Sequence, residues 1–167
     1  GPTVTMQALP GGFYAETDQP GAVPPGLQDF LNKAEEAVKR KNYGYAIAMY
    51  RRILRDMPGN LWVRRRLRGT ELKRDQEGMG QNPVVGTLLG LPTFVKLAIL
   101  SGLARHGALL QAAEAFLVRV PRSPWVLARL GHHAAKLGLL ETAVFSYETA
   151  IEVAGRKNWK HLVRLGE

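Results

Sequence analysis

Four histidines carry most of the acid–base or metal chemistry this chain could do. His132 and His133 are adjacent, so on a helix their rings point about 100° apart and do not converge on one ion. His106 and His161 are distant from them in sequence. The i, i+4 histidine pair that presents two imidazoles to zinc on one helix face is missing. The chain has no cysteine, which removes thiolate ligands, disulfides and cysteine nucleophiles. Glu35 and Glu36 are neighbours on one exposed helical surface, not carboxylates facing across a pocket. Gly86 to Gly90 lacks the lysine of a phosphate-binding loop. Ser101, Ser123 and Ser146 have no G-x-S-x-G setting. These residue types point away from an enzyme, and neither a cofactor nor a metal is expected.

The basic residues say more. Lys and Arg number 23 against 14 Asp and Glu, giving a formal charge of +9, which favours acidic partners. Thirteen of the 23 fall between Lys33 and Arg74. Arg51, Arg52 and Arg55 precede the dense run Arg64-Arg65-Arg66 and Arg68, and together they form a candidate basic patch. Consecutive arginines point round a helix, so not all can meet one ligand. The bland alternative is a solvated face whose arginine stems cover apolar surface.

The elements that must position these residues follow from hydrophobic spacing. With 167 residues and 46% hydrophobic composition the chain can build a core. Residues 27–40 repeat Phe30, Ala34, Ala37 and Val38 at helical steps. Residues 44–57 repeat Ala46, Tyr50 and Ile53, and Pro58-Gly59-Asn60 stops them. The two helices turn at Lys41-Asn42. A second pair covers 124–137 and 140–153, divided at Gly138, with Ala143, Tyr147 and Ala150 in the places of Ala46, Tyr50 and Ile53. A weaker copy aligns Ala112 and Phe116 with Ala46 and Tyr50, Gly107 with Gly138, and Pro124 with Pro58. The aligned alanines step by 66, twice 33, and then by 31.

This pattern resembles the tetratricopeptide repeat family, in a degenerate bacterial-type form. Its units are helix–turn–helix hairpins of about 34 residues. The match is best over 124–157, through Leu127, Leu130, Gly131, Ala134, Gly138, Ala143, Tyr147 and Ala150. The resemblance implies an all-α fold, a right-handed α-solenoid of stacked hairpins. It also implies a non-enzymatic protein–protein interaction scaffold that binds a partner peptide or helix, acidic in keeping with the charge, or self-associates as a homo-oligomer. In that family the first helices line a groove. Carried over, its positions fall on Leu31, Glu35, Trp62, Arg65, Phe94, Ser101, Trp125, His132, Lys160 and Arg164. Trp62, Phe94 and Trp125 are then candidate aromatic anchors. Arg129 and Arg164 match the arginine of a carboxylate clamp known in the family, with Lys160 one turn before Arg164. Glu35 stands where that clamp has asparagine, so the clamp itself is not expected.

The expected division starts with a flexible Gly/Pro-rich arm over 1–25, whose Gly1-Pro2 reads as a protease-cleavage scar. One repeat unit with an extra helix follows over 26–77, then an apolar Gly/Pro-rich insertion loop over 78–92. Further units cover 93–157, and 158–167 begin another repeat or cap the stack. With no cationic-then-apolar leader in view, a cytoplasmic location is expected. Two alternatives remain. Trp62 beside the arginine run would suit a basic helical-repeat module binding nucleic acid, its ring stacking on bases. The nearly uncharged stretch from Gly78 would suit a membrane-associated assembly factor, although Pro83, Gly86, Gly90 and Pro92 interrupt it as a spanning helix.

Overall fold

The computed structural model describes residues 8–9, 13–102 and 105–155. Among the described residues the regular structure is helical apart from a two-residue antiparallel pairing of β1 (Ala8–Leu9) with β2 (Phe13–Tyr14) and an isolated bridge between Thr17 and Asn60. It divides into two units, Gly1–Gly78 and Met79–Glu167.

In the first unit, α1 (Pro25–Lys39) opens on a proline at its first position, where the missing N–H costs nothing. It buries Leu31, Ala34 and Ala37. Three left-handed or turn residues later, α2 (Tyr43–Asp56) buries Tyr43, Ala46, Ile47, Tyr50, Ile53 and Leu54. A fully buried side chain of this size contributes about 1.5–3 kcal/mol, so the α1–α2 seam is the centre of this core. α3 (Leu61–Gln76) packs on α2 and adds Leu61, Val63 and Leu67. Its first turn is held twice over. The Asn60 side chain accepts from the Val63 amide at 3.0 Å, and the Thr17 carbonyl accepts from the Leu61 amide at 2.8 Å. The Thr17 amide in turn donates to the Gly59 carbonyl at 3.0 Å. The arm expected to be flexible over 1–25 is therefore anchored to the start of α3 at Thr17. The physical reason is that a helix start leaves amides without intrahelical acceptors, and Thr17 supplies one.

In the second unit, α4 (Pro83–Gly102), α5 (His106–Arg119), α6 (Pro124–Lys136) and α7 (Leu140–Ala154) pack chiefly in sequence, α4 on α5, α5 on α6 and α6 on α7. α4 corrects the expected insertion loop over 78–92. Pro83 sits in the first turn, and the Asn82 side chain accepts from the Val84 amide at 2.9 Å. The glycines are contact devices rather than breakers. A Cβ at Gly86 would lie 3.0 Å from the Arg119 carbonyl oxygen, and one at Gly90 would lie 2.8 Å from the Phe116 ring. Only glycine lets α5 approach this closely. Pro92 stays inside the helix at the cost of one backbone hydrogen bond.

The hairpin turns repeat bond for bond. After α1, the amide of Asn42 donates to Ala37 O at 2.8 Å, Lys41 N to Val38 O and Ala46 N to Asn42 O. After α6, Leu139 N donates to Ala134 O at 2.9 Å, Gly138 N to Ala135 O and Ala143 N to Leu139 O. The pivot residues Lys41 and Gly138 have φ of 59° and 78°. The alignment of Ala143 with Ala46 thus holds in three dimensions.

The middle copy needs a correction of three residues. The residues that precede α2, α5 and α7 are Asn42, Arg105 and Leu139, with nearly the same backbone angles. Their steps are 63 and 34 residues, so Leu109 rather than Ala112 occupies the place of Ala46, and Phe116 that of Ile53. The exits agree. Met57 N donates to Ile53 O and Val120 N to Phe116 O, and Ser123 caps α6 as Asn60 caps α3. Pro121, not Pro124, therefore corresponds to Pro58.

Candidate functional site

Each unit carries one cluster built from the expected groove positions. In the first, α1 and α3 bring Glu35, Trp62 and Arg66 together. The Arg66 guanidinium lies 4.0 Å from the Trp62 ring centroid and 3.2 Å from the Glu35 carboxylate. The Tyr50 hydroxyl donates to the same carboxylate at 3.4 Å. Burial, and then the charge of Glu35, push the Tyr50 phenol up to about 12. Arg65 is exposed beside them, 3.3 Å from Asp18. The result is a half-exposed indole under a cation, flanked by a second cation. A stacked guanidinium of this kind is worth about 0.5–1 kcal/mol at an exposed site.

The seven-arginine patch does not form as one surface. Arg64 and Arg68 are 2% exposed. Arg64 donates to the Pro58 carbonyl, and Arg68 pairs with the fully buried Glu71. Arg52 pairs with Asp56 at 2.9 Å and lies over Phe30. Arg51 is half-buried and Arg55 exposed. The cause is helical geometry: positions 64, 67, 68 and 71 share the inward stripe of α3, while 65 and 66 face out. Leu31 likewise belongs to the core and not to a groove, at 5% exposure.

In the second unit, Trp125, Arg129 and His132 follow at i, i+4 and i+7 on α6, all half-buried. His133 turns inward, and its Nδ1 meets Nδ1 of His106, at the start of α5, at 2.9 Å. Sequence distance hid this contact, yet a signal existed. In sequential packed helices the start of one lies near the end of the next, and His106 and His133 hold those two places. Burial pushes His133 down to about 4, with Arg129, His132 and His106 adding to the shift. Burial also lowers His132, with Arg129, Lys136 and His106 behind it. Tyr147 on α7 lies against Gly131, and burial raises its phenol while Arg129 opposes the rise. Arg129 is thus the cationic centre of this face.

Phe94 and Ser101 belong to α4. Lys160, His161 and Arg164 lie outside the described residues, as does the expected cap or further repeat over 158–167. An open groove of about 390 Å³ beside the α1–α2 turn is lined by Lys33, Glu36, Arg40 and Tyr45 among others. Its cations are engaged by Asp29 and Glu36. Among the described residues, no group of three or more histidines and carboxylates is placed to hold a metal, and no helix is long and apolar enough to cross a membrane. No protein-family model, curated protein or solved structure matches the chain.

Proposed function

We propose that the chain is a tetratricopeptide-like interaction scaffold, a right-handed α-solenoid whose first helices receive an extended or helical partner segment of acidic character. The observation that carries this reading is the recurrence of one hairpin. The turns after α1 and α6 share their hydrogen bonds and their left-handed pivot. The entries to α5 and α7 lie 34 residues apart, the period of the repeat family. The close approach of Gly131 to the Tyr147 ring adds to it, because small residues let hairpin helices interlock with aromatics.

The binding faces are then Glu35, Trp62 and Arg65 in one unit and Trp125, Arg129 and His132 in the other. Aromatic and arginine side chains dominate interface energetics when a partner desolvates them, and a guanidinium suits a carboxylate bidentately. The test is selection from a displayed random-peptide library, followed by titration of the selected peptides. Acidic sequences should be enriched. Trp62→Ala or Arg129→Ala should weaken binding by about 2 kcal/mol, roughly thirtyfold. Failure to enrich any peptide, or affinity indifferent to both substitutions, contradicts the reading.

A further inference from the structure

The two clusters lie on α1, α3 and α6 and leave aside α4, the longest helix among the described residues. The α4 helix turns one face, Gly86 and Gly90, onto α5. The opposite face carries Val84, Leu88, Leu91, Val95 and Ile99, spaced 4-3-4-4, and each is about half exposed or more, up to 68% at Val84. Val85 and Leu89 widen the stripe. Such a contiguous aliphatic patch on a protein of this charge marks an interaction site.

From this stripe we propose that α4 pairs with α4 of a second copy, antiparallel about a two-fold axis near Leu91. Three observations choose this occupant. First, the exposed side chains amount to on the order of 600 Å² per copy, so a symmetric pair covers about 1,200 Å², the lower end of specific stable interfaces. Second, α4 holds a single charged residue, Lys96. A foreign charged partner finds nothing on the helix to select it, and α4 lacks the row of cations that an interfacial helix presents to an anionic bilayer. Third, the 4-3-4 spacing is the seam of paired helices and is complementary to itself. Antiparallel pairing keeps the two Lys96 side chains about 15 Å apart along the axis, beyond the screening length at physiological salt. The stripe includes none of Glu35, Trp62, Arg65, Trp125, Arg129 or His132, so the loss of self-association and the loss of peptide binding are read apart.

Sedimentation equilibrium of the full chain over a hundredfold range of concentration tests it. The expected result is a reversible dimer whose dissociation constant rises at least tenfold in Leu88→Glu and in Leu91→Glu, while Val144→Glu on α7 leaves it unchanged. Because the chain has no cysteine, Leu91→Cys supplies a second readout that keeps the native core. Mild oxidation should link two copies through residue 91, and Val144→Cys should give no such product. A monomer at every concentration, a dimer indifferent to the α4 substitutions, or a monomer that binds phosphatidylserine vesicles through α4 would each overturn the proposal.

Discussion

Tyr147 needs Gly131 to have no side chain. A Cβ there would sit 2.9 Å from the ring and 3.2 Å from the Ala143 carbonyl oxygen, and a backbone atom cannot move aside. Gly131→Ala should therefore cost about 1–3 kcal/mol by overpacking. Gly69 in α3 has nothing within 4 Å, so Gly69→Ala should stabilise by about 0.5–1 kcal/mol through helix propensity. Urea unfolding of the two variants checks both signs. His133 gives a pH prediction. Above about pH 6.5 it is neutral folded and unfolded, and contributes nothing. Between about 6.5 and 4 the unfolded chain takes up a proton that the folded chain refuses, so stability falls with pH by about 1–3 kcal/mol. Below about 4 the loss stops growing. His133→Gln should flatten the curve in that window. Part of this was legible in sequence: Gly131 and Tyr147 stand in the aligned positions. The His106–His133 contact was not, since it is a product of helix packing, and the arginine run showed its charge but not which of its members the core would take.

The hairpins α1–α2 and α6–α7 are readable from spacing and turn residues. α4 was hidden because glycine and proline carry two meanings. Pro83 and Gly90 resemble loop residues until a neighbouring helix shows that one starts a helix and the other makes room for Phe116. The register of α5 was hidden by exchange of sizes. Leu109 and Ala113 occupy the places of Ala46 and Tyr50, all four buried, so large and small residues trade positions and Ala112 imitates the alignment. The turns yield a prediction at this scale. Lys41 holds a φ of 59° where the equivalent residue is Gly138. A side chain in the left-handed region costs about 1–2 kcal/mol, so Lys41→Gly should stabilise by about 0.5–1 kcal/mol after the entropy that glycine adds to the unfolded chain. Thermal unfolding followed by circular dichroism reads it. An unchanged or lower midpoint would mean that the turn is not strained there.

Across the whole molecule, 13 of the 23 basic residues fall in the first unit, but nine of the 14 acidic ones do too, and the arginines do not form a single surface. Some arginines cross-link helices, some are buried, and on the two candidate faces Arg66 lies over Trp62 and Arg129 acts on Tyr147. The proposed scaffold would bind through those faces and leave the second helices of its hairpins as supports. Affinity for an acidic segment should then weaken as salt rises, because exposed cations are screened within about 10 Å at 0.1 M. Chemical-shift mapping by nuclear magnetic resonance, with a library-selected peptide titrated into the labelled chain, tests the central claim most directly. Shifts concentrated at Glu35, Trp62, Arg65, Trp125, Arg129 and His132 are the predicted result. Shifts confined to the outward residues of α2, α5 and α7, with those six unmoved, would contradict it.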